Sequence, residues 1–189
     1  MRIIAGKLKG TTLHMLKDKD TRPLKDLARE SIFNLLTHSN KISLQLEQSN
    51  ILDLYAGTGS FGLECLSRQA MSVCFIEKKK NAIEILEKNI EKLKVKNKIK
   101  IFFNDIFELI EKQNIFKLKF DLIFCDPPFK DLGIRKLIQL IFSTNILRKD
   151  GILILHRNKS TEEELPDYFK IIDKRIYGIS EVTFGKFLS

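Results

Sequence analysis

The chain has 189 residues, 43% of them hydrophobic, which suits one packed domain with at most a small addition. Four prolines and nine glycines argue against a fibrous or disordered chain, and apolar stretches such as Gly151 to Leu155 are too short to cross a bilayer. The net charge of +9 suits a polyanionic partner. The sequence beginning at Met1 lacks the apolar segment of a signal peptide, so we expect a cytoplasmic protein.

The first forty residues are predicted to form a small extension. Residues 1–15 alternate loosely around Gly6 and Gly10, which predicts a short β-hairpin, and Pro23 suits the start of a helix. The apolar stripe of that helix follows a four-residue step through Leu24, Ala28, Ile32 and Leu35. Residues 1–25 carry seven basic and two acidic side chains, +5 of the net +9. We therefore predict that residues 1–40 contact nucleic acid and that residues 41–189 form the main domain.

From Asn50 onward, apolar strands alternate with amphipathic helices. The predicted strands are 51–54, 73–76, 99–103, 120–125 and 151–155, and the helices between them are 60–68, 81–95, one from 106, and 134–142. Residues 168–177 and 182–188, divided by Gly178, predict an antiparallel hairpin at one edge. The fold class is α/β: a Rossmann-like, doubly wound, mostly parallel seven-stranded sheet with this C-terminal hairpin. Such sheets bind ligands at the carboxyl ends of their strands.

A glycine-rich turn follows the first strand of the predicted sheet. Residues 57–62 satisfy the pattern GxGxxG, in which glycines let the backbone approach a ligand at a helix N-terminus. Alone, this pattern is weak support for a nucleotide site. It fits a nicotinamide dinucleotide as well as S-adenosylmethionine.

Three acids follow three successive strands and help to choose between those ligands. Glu77 ends the second strand and can accept hydrogen bonds from ribose hydroxyls of either ligand. Asp53, beside the turn, repels a pyrophosphate but attracts the ammonium group of a methionine moiety. Asp105, after the third strand, could bind an adenine amino group or simply cap the next helix. Together the acids favour S-adenosylmethionine.

The most specific signal is Asp126-Pro127-Pro128-Phe129, at the end of the fourth predicted strand. The two prolines form a rigid turn in which the Asp126 carboxylate and the Pro127 carbonyl can point at one spot. Both groups only accept hydrogen bonds, so an exocyclic base amine with two N–H donors fits that spot. Phe129 offers a ring on which the base can stack. This chemistry predicts methyl transfer to an amino nitrogen.

The chain resembles a known family. Asp53 to Gly59, Glu77 and the Asp126 to Phe129 motif look like class I S-adenosylmethionine-dependent amino-methyltransferases. The N-terminal motifs resemble the RsmD family, bacterial methyltransferases of a guanine N2 in 16S small-subunit ribosomal RNA; they are residues 1–6, Lys9-Gly10, Thr21-Arg22-Pro23 and 29–36. The resemblance covers essentially the whole chain. Departures are Leu24 in place of the family's Thr, Leu27 in place of a basic residue, and Lys9 in place of Arg.

The predicted site has three parts. The catalytic residues are Asp126, Pro127, Pro128 and Phe129. The residues expected to bind S-adenosyl-L-methionine are Asp53, Tyr55, Ala56, Gly57, Thr58, Gly59, Glu77, Lys78, Asp105 and Ile106. The candidate RNA contacts are Arg2, Lys7, Lys9, Arg22 and Lys130. No metal is needed, because a sulfonium is already a strong electrophile, and nothing demands more than a monomer.

Other functions remain open from the sequence. An adenine N6 amino group suits the same acceptors, whereas a protein glutamine amide is less favoured because those enzymes usually have Asn at the position of Asp126. A nicotinamide-dependent oxidoreductase is supported only by GxGxxG, and a non-catalytic RNA-binding protein is disfavoured by the intact motif at Asp126. The expected partner is ribosomal RNA, free or within the small subunit or an assembly intermediate.

Overall fold

The fold is described from a computed structural model, covering residues 1–16, 26–42, 44–112, 115–128 and 133–188. The strands are β1 (Asn50–Leu54), β2 (Ser72–Glu77), β3 (Ile99–Phe103), β4 (Phe120–Cys125), β5 (Leu147–Asn158), β6 (Phe169–Tyr177) and β7 (Ser180–Phe187). The helices are α1 (Asp26–His38), α2 (Ser60–Ser67), α3 (Lys80–Leu93), α4 (Ile106–Glu111) and α5 (Ile134–Ser143), with a 3-10 turn at Lys96–Lys98. Within the described ranges, no helix is long and apolar enough to cross a membrane.

The seven strands form one mixed sheet in the order β3-β2-β1-β4-β5-β7-β6. The first five pair in parallel, and β7 pairs antiparallel with both β5 and β6. The predicted α/β fold with an antiparallel C-terminal hairpin is therefore confirmed. The strand order reverses between β1 and β4, and a crevice forms beyond the carboxyl ends of strands at such a point.

Helices cover both faces of the sheet, so each central strand is buried on both sides. One core cluster contains Ile51, Phe124 and Ile154 and packs against α1, α2 and α3, while the other contains Leu54 and Leu155 and packs against α4 and α5. On the first face, three rings join α1 to the sheet. Phe61 lies between Phe33 and Phe124, with ring centroids 5.1 Å and 3.8 Å away. This stack holds α1 and α2 beside β4.

The N-terminal segment forms the predicted short hairpin and also binds α2. Arg2 and Thr12 form an antiparallel bridge, and three backbone hydrogen bonds join residues 1–3 to residues 10–13. The buried Glu64 carboxylate of α2 accepts hydrogen bonds from the backbone N–H of Ile4 at 2.7 Å and of Ala5 at 3.0 Å. The segment is thus a strap bound across α2.

A buried arginine joins this strap to α1. Arg29 is fully buried and donates to the Arg2 carbonyl and, at 3.1 Å, to the Asp26 carboxylate. Burial lowers the pKa of Arg29, and the negative charges of Glu64 and Asp26 oppose that effect. Arg29, which lies outside the predicted apolar stripe of this helix, is therefore part of the packed interior.

Most predicted boundaries lie within two residues of the observed ones, but β5 is longer than predicted. It begins at Leu147, which pairs with Phe120, and it continues to Asn158 because its last residues pair with β7. The predicted start of α1 at Pro23 and its stripe residue Leu24 lie outside the described residues. The other stripe positions are buried at Ala28 and Ile32 and partly buried at Leu35.

Candidate active site

The turn after β1 needs glycine for two separate reasons. The backbone is left-handed at Tyr55, Gly57 and Gly59, with φ of 57°, 55° and 80°. At Gly59 a Cβ would also lie 2.3 Å from Cδ1 of Leu86 on α3, whereas at Gly57 the nearest atom would be 4.0 Å away. Gly59 therefore allows the turn to pack on α3, and Gly57 allows its curvature.

Glu77 is bound to this turn by its carboxylate. Oε2 accepts the backbone N–H of Gly57 at 2.7 Å, and Oε1 accepts those of Lys78 at 2.9 Å and Lys79 at 2.8 Å. The predicted acid at the end of β2 and the predicted glycine turn are thus in direct contact. Each carboxylate oxygen has two lone pairs, so acceptor capacity remains for a ribose hydroxyl.

Asp53 is buried at the end of β1, beneath the turn. Its Oδ2 accepts the backbone N–H of Gly62 in α2 at 2.9 Å. Burial raises the pKa of Asp53 well above its ordinary value, the hydrogen bond from Gly62 opposes that rise, and the charges of Asp126 and Glu77 add to it. Three carboxylates from adjacent strands therefore gather at the crevice, and their mutual repulsion favours a cationic ligand.

Asp105 caps α4, as its alternative interpretation predicted. Its Oδ1 accepts the backbone N–H of Phe107 at 2.9 Å, and its Oδ2 accepts Lys78 Nζ at 3.0 Å. Burial opposes ionisation of Asp105, but the hydrogen bonds from Lys78 and Phe107 outweigh it and lower the pKa. Ile106, the next residue, is buried at 4% exposure. Lys78, Asp105 and Ile106 thus lie together beyond β2 and β3.

The turn after β4 places Asp126 at the reversal of strand order. The Asp126 side chain is 25% exposed, Pro127 is buried and Pro128 is exposed. Asp126 Oδ1 lies 2.7 Å from Nδ1 of His156, which is on β5 and only 4% exposed. His156 was not predicted as a site residue, because the predicted strand ended at Leu155. The available signal was that a polar residue directly follows the apolar strand 151–155, which was predicted to lie in the same sheet as the strand before Asp126.

One of the candidate RNA contacts, Lys7, lies at the end of α2 that is distant from the glycine turn. Arg2, Lys7 and Lys9 are exposed, but Lys7 donates its backbone N–H to Ser67 at the C-terminal end of α2. Since α2 begins at the glycine turn and spans eight residues, Lys7 lies roughly 12 Å along the helix from that turn. The remaining predicted site residues Phe129, Arg22 and Lys130 lie outside the described residues.

A second residue that was not predicted, Asn89, connects the strap to the glycine turn. This buried α3 side chain accepts the N–H of His14 at 2.7 Å and donates to the carbonyls of His14 at 3.1 Å and Thr58 at 3.0 Å. Asn89 lies three residues after Leu86 and four before Leu93, so a polar residue on the apolar stripe of α3 was the available signal. The N-terminal strap therefore lies against the glycine turn through one amide.

Comparison with known proteins agrees with this architecture. The chain is 32% identical over 179 residues to ribosomal RNA small subunit methyltransferase D of Haemophilus influenzae, covering 95% of this chain and 90% of that protein. It is 30% identical to the putative rRNA methyltransferase YlbH of Bacillus subtilis, covering 98% of each. The solved structure of the putative methyltransferase yhhF from Escherichia coli matches with a TM-score of 0.85 at 22% identity, covering 100% and 98%.

A family model described as Conserved hypothetical protein 95 matches residues 1–186. Together with the relatives, this match confirms the resemblance to the RsmD family that the N-terminal motifs and the Asp126 motif indicated. The chain therefore belongs to the Conserved hypothetical protein 95 (RsmD) family of methyltransferases.

Proposed function

We propose that the protein transfers the methyl group of S-adenosylmethionine to the exocyclic N2 amino group of a guanine in 16S ribosomal RNA. The observation that carries this proposal is the partly exposed Asp126 carboxylate at the end of β4, beside the acids that end β1 and β2. The named relatives, which include a ribosomal RNA small subunit methyltransferase, support the RNA class.

The acidic residues at the ends of the strands fit the chemistry of this cofactor. Asp53 and Glu77 would face its positively charged methionine and ribose end, while Asp105 and Ile106 would meet its adenine. A dinucleotide would instead place a pyrophosphate beside three carboxylates, which Coulomb repulsion disfavours. When bound, the cofactor supplies an electrophilic methyl group on a sulfonium; no metal is required for that chemistry.

The chain's own residues act on the target amine. Asp126 and the Pro127 carbonyl each accept one N–H of the amine, which turns the nitrogen out of conjugation with the ring and exposes its lone pair. A rigid proline turn holds both acceptors before the reaction, so little reorganisation is needed. Rate enhancement then comes mainly from positioning. Phe129 would stack the base, which must leave any helix to enter the crevice.

The nucleic-acid side of the proposal rests on charge. The exposed Arg2, Lys7 and Lys9 and the basic segment around Arg22, with Lys130, would bind phosphates. RNA that reaches from Lys7 to the glycine turn would span the length of α2. An enzyme with this substrate would work in the cytoplasm, where ribosomal subunits are assembled, and we propose that it acts as a monomer.

The test is methyl transfer from labelled S-adenosylmethionine to small-subunit RNA from cells that lack this protein, presented free and as particles. Digestion to nucleosides should give N2-methylguanosine. N6-methyladenosine would replace guanine by adenine in the proposal, and no transfer to either substrate would overturn it. Calorimetry with S-adenosylmethionine and with a nicotinamide dinucleotide should show binding of the first alone.

A further inference from the structure

The residue beside Asp126 on the neighbouring strand is a histidine. Cys125 and Leu155 are register partners of the parallel pair β4 and β5, so Asp126 and His156 lie side by side one residue later. Side chains alternate along a strand, which puts both on the face where Phe124 and Ile154 pack. The contact of 2.7 Å between Asp126 Oδ1 and His156 Nδ1 follows from this placement.

Burial differs sharply between the two partners. His156 is 4% exposed, and its register partner on β7 is the fully buried Val182. The Asp126 side chain, in contrast, is 25% exposed. The imidazole of His156 is therefore part of the core, and the carboxylate of Asp126 faces the crevice. The buried imidazole thus binds one oxygen, Oδ1, of the partly exposed carboxylate.

The chemistry of the two groups fixes the direction of the hydrogen bond. An ionised carboxylate only accepts, so Nδ1 of His156 carries the proton and donates it to Oδ1. Rotation about the last bond of an aspartate is otherwise broad, and a carboxylate on a surface turn samples many orientations. Anchoring Oδ1 restricts that rotation and leaves Oδ2 for an incoming donor.

We propose that His156 is a positioning residue, whose Nδ1–H holds Asp126 Oδ1 so that Oδ2 meets an N–H of the target amine. This proposal rests on the proposed function, because it assigns the source of order in the acceptor pair. His156 itself does not touch the substrate. It acts through Asp126.

The test compares His156→Phe with His156→Asn, measuring kcat, the KM for RNA and the Kd for S-adenosylmethionine. Phe keeps a ring but removes the donor, and Asn places an amide N–H near the position of Nδ1. For His156→Phe we expect kcat to fall roughly 10- to 100-fold, since a misplacement of about 1 Å costs that order, with KM and Kd nearly unchanged. His156→Asn should recover most of the loss.

Val182→Ala is the matched control, because it removes packing beside His156 and leaves the hydrogen bond. It should lower the melting temperature while kcat stays close to wild type. If His156→Phe does not fold, His156→Gln replaces it, because its longer side chain moves the amide away from the position of Nδ1. A kcat equal to wild type in the variant without the donor, or an Asn variant no better than Phe, would overturn the positioning role.

A measurement without substrate separates this inference from the proposed function. The hydrogen-bonded Nδ1 proton of His156 should give a low-field proton resonance in labelled protein that disappears in Asp126→Ala. Its absence from the wild type would overturn the inference directly. A wild-type protein that shows the resonance but transfers no methyl group to small-subunit RNA would instead overturn the proposed function.

Discussion

Gly57 donates its backbone N–H to Oε2 of Glu77 over 2.7 Å, which joins the turn after β1 to the end of β2. The same carboxylate binds two further backbone amides on its own side. One side chain therefore sets the distance between the proposed methionine and ribose ends of the cofactor site.

Replacing Glu77 should weaken cofactor binding. In Glu77→Ala, three backbone N–H groups lose a charged acceptor, and we expect the Kd for S-adenosylmethionine to rise roughly 10- to 100-fold, since one such bond contributes about 1.5–3 kcal/mol. Glu77→Gln keeps a carbonyl acceptor and should lose less. Calorimetry measures both, and an unchanged affinity in Glu77→Ala would contradict the role of this acid.

Asp126→Ala should separate chemistry from binding. The carboxylate contacts His156 rather than the glycine turn, so its loss removes the proposed acceptor of the amine but leaves the proposed cofactor-binding residues in place. We expect methyl transfer to fall by at least about a hundredfold, as when one preorganised group is removed, with cofactor affinity nearly constant. Single-turnover transfer and calorimetry measure the two effects, and a fully active Asp126→Ala would refute the mechanism.

Cofactor affinity should depend on pH through Asp53. Its pKa is raised first by burial and then by the charges of Asp126 and Glu77, against the hydrogen bond from Gly62. In the proposed site the ammonium group of the cofactor binds the ionised form of Asp53, so affinity should increase as pH rises through the elevated pKa, with a proton released on binding below it. Calorimetry in buffers of different ionisation enthalpy detects that proton.

Asp53→Asn is the control for this pH effect, because its amide oxygen can still accept the N–H of Gly62. It should flatten the pH dependence of affinity. A carboxyl with a raised folded-state pKa loses stability as pH rises from the unfolded pKa through the folded one, so the variant should also melt higher at neutral pH. An unaltered pH profile would exclude Asp53 as the titrating group.

Alanine at Gly57 and at Gly59 should separate backbone strain from steric overlap. Both residues have positive φ, which costs a residue with a side chain about 1–2 kcal/mol. Only at Gly59 does the added Cβ meet Leu86, at 2.3 Å, so Gly59→Ala should lose roughly a further 1–3 kcal/mol of unfolding free energy. Urea unfolding measures the difference, and equal losses would contradict the packing argument.

Hydrophobic periodicity predicted the sheet well, because strands buried on both faces are nearly continuous apolar runs, as β4 is apart from Asp121. It also predicted that Asp53, Glu77 and Asp126 lie at the same edge of the sheet, because the carboxyl ends of parallel strands meet there. The predicted end of β5 was wrong, because His156 and Arg157 are polar and only their pairing with β7 identifies them as part of the strand.

The docking of the N-terminal strap on α2 could not be predicted, for a different reason. The amides of Ile4 and Ala5 bind the Glu64 side chain, and a buried carboxylate in a helix looks like a solvent-exposed one in the sequence. Asn89 likewise acts through backbone groups of distant residues, and backbone groups leave no trace in residue type. The roles of Arg2, Lys7 and Lys9 toward RNA stay predictions.

The strap also has a consequence for how the chain matures. The backbone N–H of Ile4 binds Glu64, which is 60 positions further along the chain, and that of His14 binds Asn89, which is 75 positions further along. During synthesis the positively charged first residues therefore emerge well before the groups that fasten them, and long-range closure of this kind slows assembly. Docking of the strap against α2 and α3 therefore requires that both helices have already been synthesised.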